Sequence, residues 1–342
     1  MKRLLTLALL LGLALAQPKE LRLYTWTEYI EPAIVTDFEK ATGLKVRISY
    51  YESNEELLAK LQAGGVSQYD VIVPSDFIIP SMIQLGLLRP LDKSKIPNLK
   101  NLDPKFANPP FDPSNTYTVG YLWGTVGLMY RTDVFKTPPT SWAVLFDLKE
   151  QKGAFTLMDS QREMLGIGLR YIGQSVNSTD PASVKKVIDL MLSVKRSSNF
   201  KGFQGGVSAT KLLLGNQAVA AVVYNQDALR TAAGNPKYSF TIPKEGSTLF
   251  LDNLAIPAKA PNPEAAHRFI NFILDAKIGA RLANYQNSAT PNAAAKPLMK
   301  PELLKNPAVW PTDEQMKVLE FILDQGKNNR LYDEAWTQIK SR

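Results

Sequence analysis

The sequence predicts an α/β protein built as two lobes, and three observations carry that reading. Apolar residues switch between strand-like alternation and a helical repeat in a β-α-β-α-β order over the first hundred positions. The same rhythm restarts near residue 153. At 342 residues with 45% hydrophobic content, the chain is long for one domain and rich enough in apolar side chains for two cores.

Taken in order, the chain starts with basic Met1-Lys-Arg, followed by an apolar run over 4–16 that ends in Ala14-Leu-Ala16. This reads as a secretory leader, 1–16, cut before Gln17, and it is too short for a stable membrane span. An exported, periplasmic protein is expected. There is no Cys, hence neither a disulfide nor a lipid-modified thiol. The stretch 20–25 alternates as a strand does. A helix is expected over 32–42, with Pro at its start and Gly43 just past its end. A second strand follows over 45–50. Ser53-Asn-Glu-Glu56 reads as a capping box opening a helix through Gln62. A short apolar strand, 69–73, and a helix, 79–85, closed by Gly86, complete a unit that implies parallel strands and right-handed crossovers.

In the second unit 153–158 is a strand, and Asp159 or Ser160 caps a helix reaching about Gly173. The stretches 183–192 and 208–214 read as helices, and 218–224 as a buried strand. Asn225 caps a helix over 227–233, and 237–242 is a further strand. The stretch 249–256 is extended and interrupted at Asp252-Asn253. Helices are expected over 263–274, 277–285 and 313–325. The segments 121–130 and 249–256 read as two crossovers that form a hinge. Lobe 1 is then 17–125 with 252–296, and lobe 2 is 126–251 with 297–342.

Ligands of open parallel sheets bind beyond the carboxyl ends of the strands. That rule selects Trp26, Thr27, Glu28 and Tyr29 after the first strand, Tyr51, Glu52 and Ser53 after the second, and Pro74, Ser75, Asp76 and Phe77 after the third. From the second unit it selects Asp159, Ser160 and Glu163, then Tyr224, Asn225 and Asp227, with Phe250 and Asp252 on the second crossover. The set holds rings and carboxylates but no Lys, with Arg162 as the one exposed cation nearby. Overall the chain carries +8, or +6 once Lys2 and Arg3 leave with the leader. An acidic, aromatic cleft in a basic protein suits a small organic cation: carboxylates accept hydrogen bonds from ammonium groups, and ring faces attract them. The plainer alternatives are that Asp159 only caps a helix and that Phe250 only fills the core.

The segments Leu23-Tyr-Thr-Trp-Thr-Glu-Tyr29, Tyr51-Glu-Ser-Asn-Glu55, Tyr69-Asp-Val-Ile-Val-Pro-Ser75 and Leu91-Asp-Lys-Ser-Lys95 resemble the periplasmic spermidine/putrescine-binding proteins. So do Asn101-Leu-Asp-Pro104, Pro110-Phe-Asp-Pro113, Asp252-Asn-Leu-Ala-Ile-Pro257 and Thr290-Pro-Asn292. The resemblance implies a type II periplasmic-binding fold, each lobe a mostly parallel sheet flanked by helices. It also implies polyamine capture between the lobes and delivery to a membrane ABC permease. By the same resemblance Trp26, Tyr29, Ser75, Glu163, Asp252 and Phe250 line the cleft, and Asp227 matches an acid of putrescine-type members. Tyr224 stands for a Trp, Phe77 for a Tyr, Ser160 for an aspartate, Ser288 for a tyrosine and Ile322 for a glutamine. Losing the acid at 160 favours a putrescine-sized diamine over spermidine, unless Asp159 or Asp76 substitutes.

Other chemistry is poorly served. Nucleic acid is not an expected partner, because Lys and Arg are scattered without a run of five. His267 is the one histidine, and its helix pattern puts it on a surface face; with one His and no Cys, zinc sites and Cys–His nucleophiles are excluded or strained. No G-x-S-x-G is present, and Gly205-Gly206 reads as a turn. Glu163 with Asp252 leaves a paired-carboxylate hydrolase as the enzymatic alternative. Ferric-ion receptors use neighbouring tyrosines, but alternation sends Tyr50 and Tyr51 to opposite faces. Sugar receptors share the rings and acids and stay open. The expected protein is a non-enzymatic monomer that uses no cofactor.

Overall fold

A computed structural model describes residues 20–232 and 234–341; the expected leader lies outside them. Strand β1 (Glu20–Trp26) pairs in parallel with β2 (Lys45–Tyr51) and with β3 (Val71–Ile72). Helix α1 (Pro32–Thr42) makes the first crossover, and Gly43 ends it at φ 72°, a left-handed conformation that a side chain would oppose. Helix α2 (Asn54–Gln62) is capped by Ser53, whose hydroxyl accepts from the Glu56 amide. The returning arm of the box lands one residue early, because Glu56 accepts from the Glu52 amide. Helix α3 (Ile79–Gln84) closes the unit.

The chain then crosses on β4 (Thr118–Arg131), a long strand with buried side chains almost throughout. Helix α4 (Ala143–Phe146) leads to β5 (Phe155–Met158), α5 (Gln161–Tyr171) and α6 (Pro181–Lys195). Asp180 caps α6 through the amides of Ala182 and Ser183, at 3.3 and 3.0 Å. Asp180→Ala is expected to cost about 1–2 kcal/mol, read as a lower urea midpoint at unchanged slope. Next come β6 (Phe200–Gln204), α7 (Gly206–Leu214), β7 (Ala220–Tyr224), α8 (Asn225–Ala232) and β8 (Tyr238–Thr241). The chain returns on β9 (Ser247–Ala255), followed by α9 (Pro263–Ile273), α10 (Ala276–Gln286), α11 (Pro301–Leu304) and α12 (Asp313–Met316). A short edge strand, β10 (Leu319–Phe321), and α13 (Asn329–Ser341) complete it.

The strands run β2-β1-β3-β9-β4-β7-β5-β6, with β10 beside β9 and β8 beside β4. Parallel groups at the two ends are joined by the antiparallel β4–β9 ribbon, in which Leu122 faces Asp252 and Gly124 faces Phe250. The fold is therefore the two-lobed α/β arrangement expected, with the ribbon running from one lobe to the other. One core gathers Leu21, Leu23, Phe38, Phe269 and Ile270, together with Leu303 and Val309. Another gathers Leu157, Met164, Val187, Tyr332 and Ile339.

Four expectations change. Strand β9 runs unbroken through Asp252-Asn253, because hydroxyls from neighbouring strand ends satisfy the Asp252 carboxylate without bending the backbone. The expected helix over 313–325 stops at Met316, where Leu319–Phe321 pairs with Ser247–Leu249 instead. His267 is buried, not exposed: its Nε2 accepts from the Asp92 amide and its Nδ1 lies 2.6 Å from the Pro263 carbonyl. Arg162 is buried too, its guanidinium 4.3 Å from the Tyr332 ring and donating to the Leu323 carbonyl at 3.1 Å. Helix α13, which carries Tyr332, covers it.

Candidate ligand-binding site

Strand ends from both parallel groups meet at the β4–β9 ribbon, and β9 supplies the centre. Alternation along β9 sends Phe250 and Asp252 to one face and Leu249 and Leu251 to the other. Asp252 is 4% exposed. Its Oδ1 accepts from the Ser75 hydroxyl at 2.6 Å and its Oδ2 from the Tyr29 hydroxyl at 2.5 Å. Ser75 follows β3 and is clamped by Asn54 through two hydrogen bonds of 3.0 Å. Tyr29 follows a tight turn in which Glu28 adopts φ 58°, and the Tyr121 hydroxyl donates to its carbonyl at 2.8 Å. Trp26 ends β1, donates from Nε1 to the Val73 carbonyl at 2.9 Å and leans on Tyr51 at 4.6 Å between ring centres.

The opposite wall comes from β7 and the helices after it. The Tyr224 ring meets Phe250 edge to face at 5.1 Å, and its hydroxyl donates to Glu163 Oε1 at 3.2 Å. Ser160, at the start of α5, also donates to the Glu163 carboxylate. Asp227 lies in the first turn of α8. Its Oδ1 accepts from Arg230 at 3.0 Å, and Arg230 also reaches the Glu28 carboxylate at 3.3 Å. The other oxygen faces Gly206, where a Cβ would sit 2.0 Å away. The Gly205-Gly206 pair is thus the start of α7, not a turn, and the missing side chain admits the Asp227 carboxylate.

These groups enclose a cavity of about 50 Å³. Trp26, Tyr29, Ser75, Tyr224, Asp227, Phe250 and Asp252 all line it. Thr27 and Glu52 line it as well, and so do Gly206, Val207 and Gln226, which were not expected there. Thr27 and Glu52 follow strands, so the strand-end rule reached them. Glu52 accepts from the Thr27 hydroxyl at 2.7 Å. Nothing in local pattern points to Gln226. Glu163 backs the Tyr224 hydroxyl instead of lining the cavity, and Ser160 backs Glu163. Ser288 is buried behind Gln226, donating to the Trp123 carbonyl at 2.9 Å. Asp76, Phe77 and Ile322 line a separate apolar cavity of about 720 Å³, with Leu249 and Leu251, on the other face of β9. Asp159 is not brought to the site: it is exposed and bonded to Lys340 at 2.8 and 3.0 Å.

Burial dominates the electrostatics. It pushes the Asp252 carboxyl up to about 7, against the opposing pull of the Ser75 and Tyr29 hydroxyls. It pushes Asp227 up to about 6, offset in part by Arg230. Glu163 and Asp76 are raised by burial as well, Asp76 further by the Asp252 charge. Among the described residues no Lys, Arg or His forms an ion pair with Asp252. A buried carboxylate without a counter-ion is costly, and a bound cation relieves that cost. Among the described residues no group of His, Cys, Asp and Glu is arranged to hold a metal ion.

Residues 33–317 match the family described as bacterial extracellular solute-binding protein. The chain is 35% identical over 338 residues to the spermidine/putrescine-binding periplasmic protein of Escherichia coli strain K12, covering 98% of this chain and 96% of that protein. It is 36% identical over 356 residues to the putrescine/cadaverine-binding protein of Pseudomonas aeruginosa, covering all of both. Among solved structures, a putative spermidine/putrescine ABC transporter from Listeria monocytogenes superposes with a TM-score of 0.87 at 37% identity, covering 94% of this chain and 99% of that one.

Proposed function

Because the chain belongs to the bacterial extracellular solute-binding proteins, which bind and are not enzymes, we propose that its solute is a linear diamine of putrescine size, captured between the lobes and handed to an ABC importer. The observation that carries this is Asp252: a buried carboxylate held by two hydroxyls, facing rings, with no basic partner among the described residues. One ammonium sits on Asp252. Trp26, Tyr224 and Phe250 hold the alkyl chain on their faces and add cation–π attraction. The second ammonium takes the Asp227 carboxylate beside Arg230, with Glu52 nearby. Glu163 acts through Tyr224, whose hydroxyl it orients.

At about 50 Å³ the cavity holds little more than water, so loading requires the lobes to part. The β4–β9 ribbon is the hinge. The lobe assignment offered is 17–125 with 252–296 against 126–251 with 297–342. A leader at 1–16 delivers the protein to the periplasm, where it works as a monomer and meets the membrane permease.

The test is a melting experiment. Putrescine at a hundred times its dissociation constant stabilises the folded form by about 2.7 kcal/mol. The melting temperature is therefore expected to rise with putrescine or cadaverine and to stay flat with glucose, ferric ion or N,N′-diacetylputrescine. A rise with the acetylated amine equal to that with putrescine would refute a site built on charge.

A further inference from the structure

Beside the diamine cavity, and sharing Glu52 with it, lies a second cleft of about 630 Å³. Its walls carry Glu52 and Glu55 on one side and Asp159, Phe203, Gly205 and Trp336 on the other. Acids and aromatic rings recur here, and a cation already occupies them. The Lys340 ammonium is bonded to both Asp159 oxygens, at 2.8 and 3.0 Å. It also lies 4.9 Å from the Phe203 ring centre and 5.6 Å from that of Trp336. The two rings meet edge to face at 5.0 Å, so they form a fixed corner around the ammonium.

We propose that this cage is a further amine subsite, and that Lys340 fills it as an internal stand-in for the distal ammonium of a longer polyamine. The inference rests on the diamine reading above. With its two ammoniums on Asp252 and Asp227, a four-carbon diamine makes no use of Asp159. A triamine or tetramine threads past Glu52, and its last ammonium must displace Lys340 from Asp159 and the rings. Lys340 is 40% exposed, so it swings into solvent without unfolding the helix. Its effect is to set ligand length: the wild-type protein favours diamines because the position a longer amine needs is already taken.

Calorimetric titration with putrescine, spermidine and spermine tests this. Lys340→Gln is expected to raise spermine affinity about fivefold, the scale of one exposed ion pair plus one ring contact, and to leave putrescine within about twofold. Removing a positive charge also attracts every cation at long range, so the deciding variant is neutral. In the Lys340→Gln background, Phe203→Leu is expected to cut the spermine gain by about half, since Asp159 and Trp336 remain. If the gain survives Phe203→Leu undiminished, or if Lys340→Gln moves putrescine and spermine together, the cage is not an amine subsite. Failure of wild-type protein to bind putrescine at all overturns the diamine reading itself, and this one with it.

Discussion

Asp252→Asn is expected to weaken putrescine binding at least tenfold and to leave the unliganded fold intact. The carboxylate gives the ammonium a charge-assisted hydrogen bond, worth about 1.5–3 kcal/mol in a buried setting. An amide of the same shape keeps one acceptor and loses the charge. One of the two hydroxyls now aimed at the carboxylate, from Ser75 or Tyr29, then faces an amide N–H₂ and must turn away. The unliganded protein loses little, because burial already holds this acid near its titration point at neutral pH. Urea unfolding of the variant should match or exceed the wild-type midpoint, while calorimetry shows the affinity loss. Glu163→Gln is expected to lose at least tenfold as well, because the amide keeps one acceptor for two hydroxyl donors, Tyr224 and Ser160, and removes the negative charge that Tyr224 faces. Wild-type affinity in both variants would remove charge pairing from the account.

The elements that were legible in the sequence are those whose ends carry their own chemistry. Proline at the start of α1 and Gly43 at its end locate that helix to the residue, and Ser53 does the same for the start of α2. Trp26, Tyr29, Ser75 and Tyr224 were found for one reason: each ends or follows a strand, and a parallel sheet points those ends at a common edge. What stayed hidden is set by partners far away in the chain. Strand β10 has three residues and exists because the β9 edge is there to receive it. Arg162 looks like an exposed cation until α13 packs over it. Gly206 has no local signature that separates a turn from a helix start pressed against Asp227. Asp159, at the end of β5, satisfies the same strand-end rule as Ser75. It lines the neighbouring cleft instead, where its carboxylate is bonded to Lys340.

Those raised carboxyls also set a pH dependence with two opposite slopes. Asp252 and Asp227 titrate at about 7 and about 6 in the folded protein, above ordinary carboxylic acids, because burial disfavours their charge. Between roughly pH 4 and 7 the folded chain therefore holds protons that the unfolded chain has released. Their contribution to stability is complete below the unfolded values and disappears as pH rises through 6 and then 7. The unliganded melting temperature should thus fall from pH 5 to pH 8. Diamine binding runs the other way, since an ammonium needs the ionised acid while its own charge persists across this range. For a group titrating near 7, going from pH 8 to pH 5 protonates it almost fully and raises the apparent dissociation constant about a hundredfold. Glu163 adds to the effect, for its charge raises Asp252 further, and Asp76 in turn feels the Asp252 charge. At pH 7 binding must expel part of a proton, so the heat of putrescine binding should depend on the ionisation enthalpy of the buffer. In Asp252→Asn that dependence should shrink and the affinity profile should flatten. A wild-type affinity constant from pH 5 to 8, with no buffer-dependent heat, would mean that Asp252 does not take the ammonium.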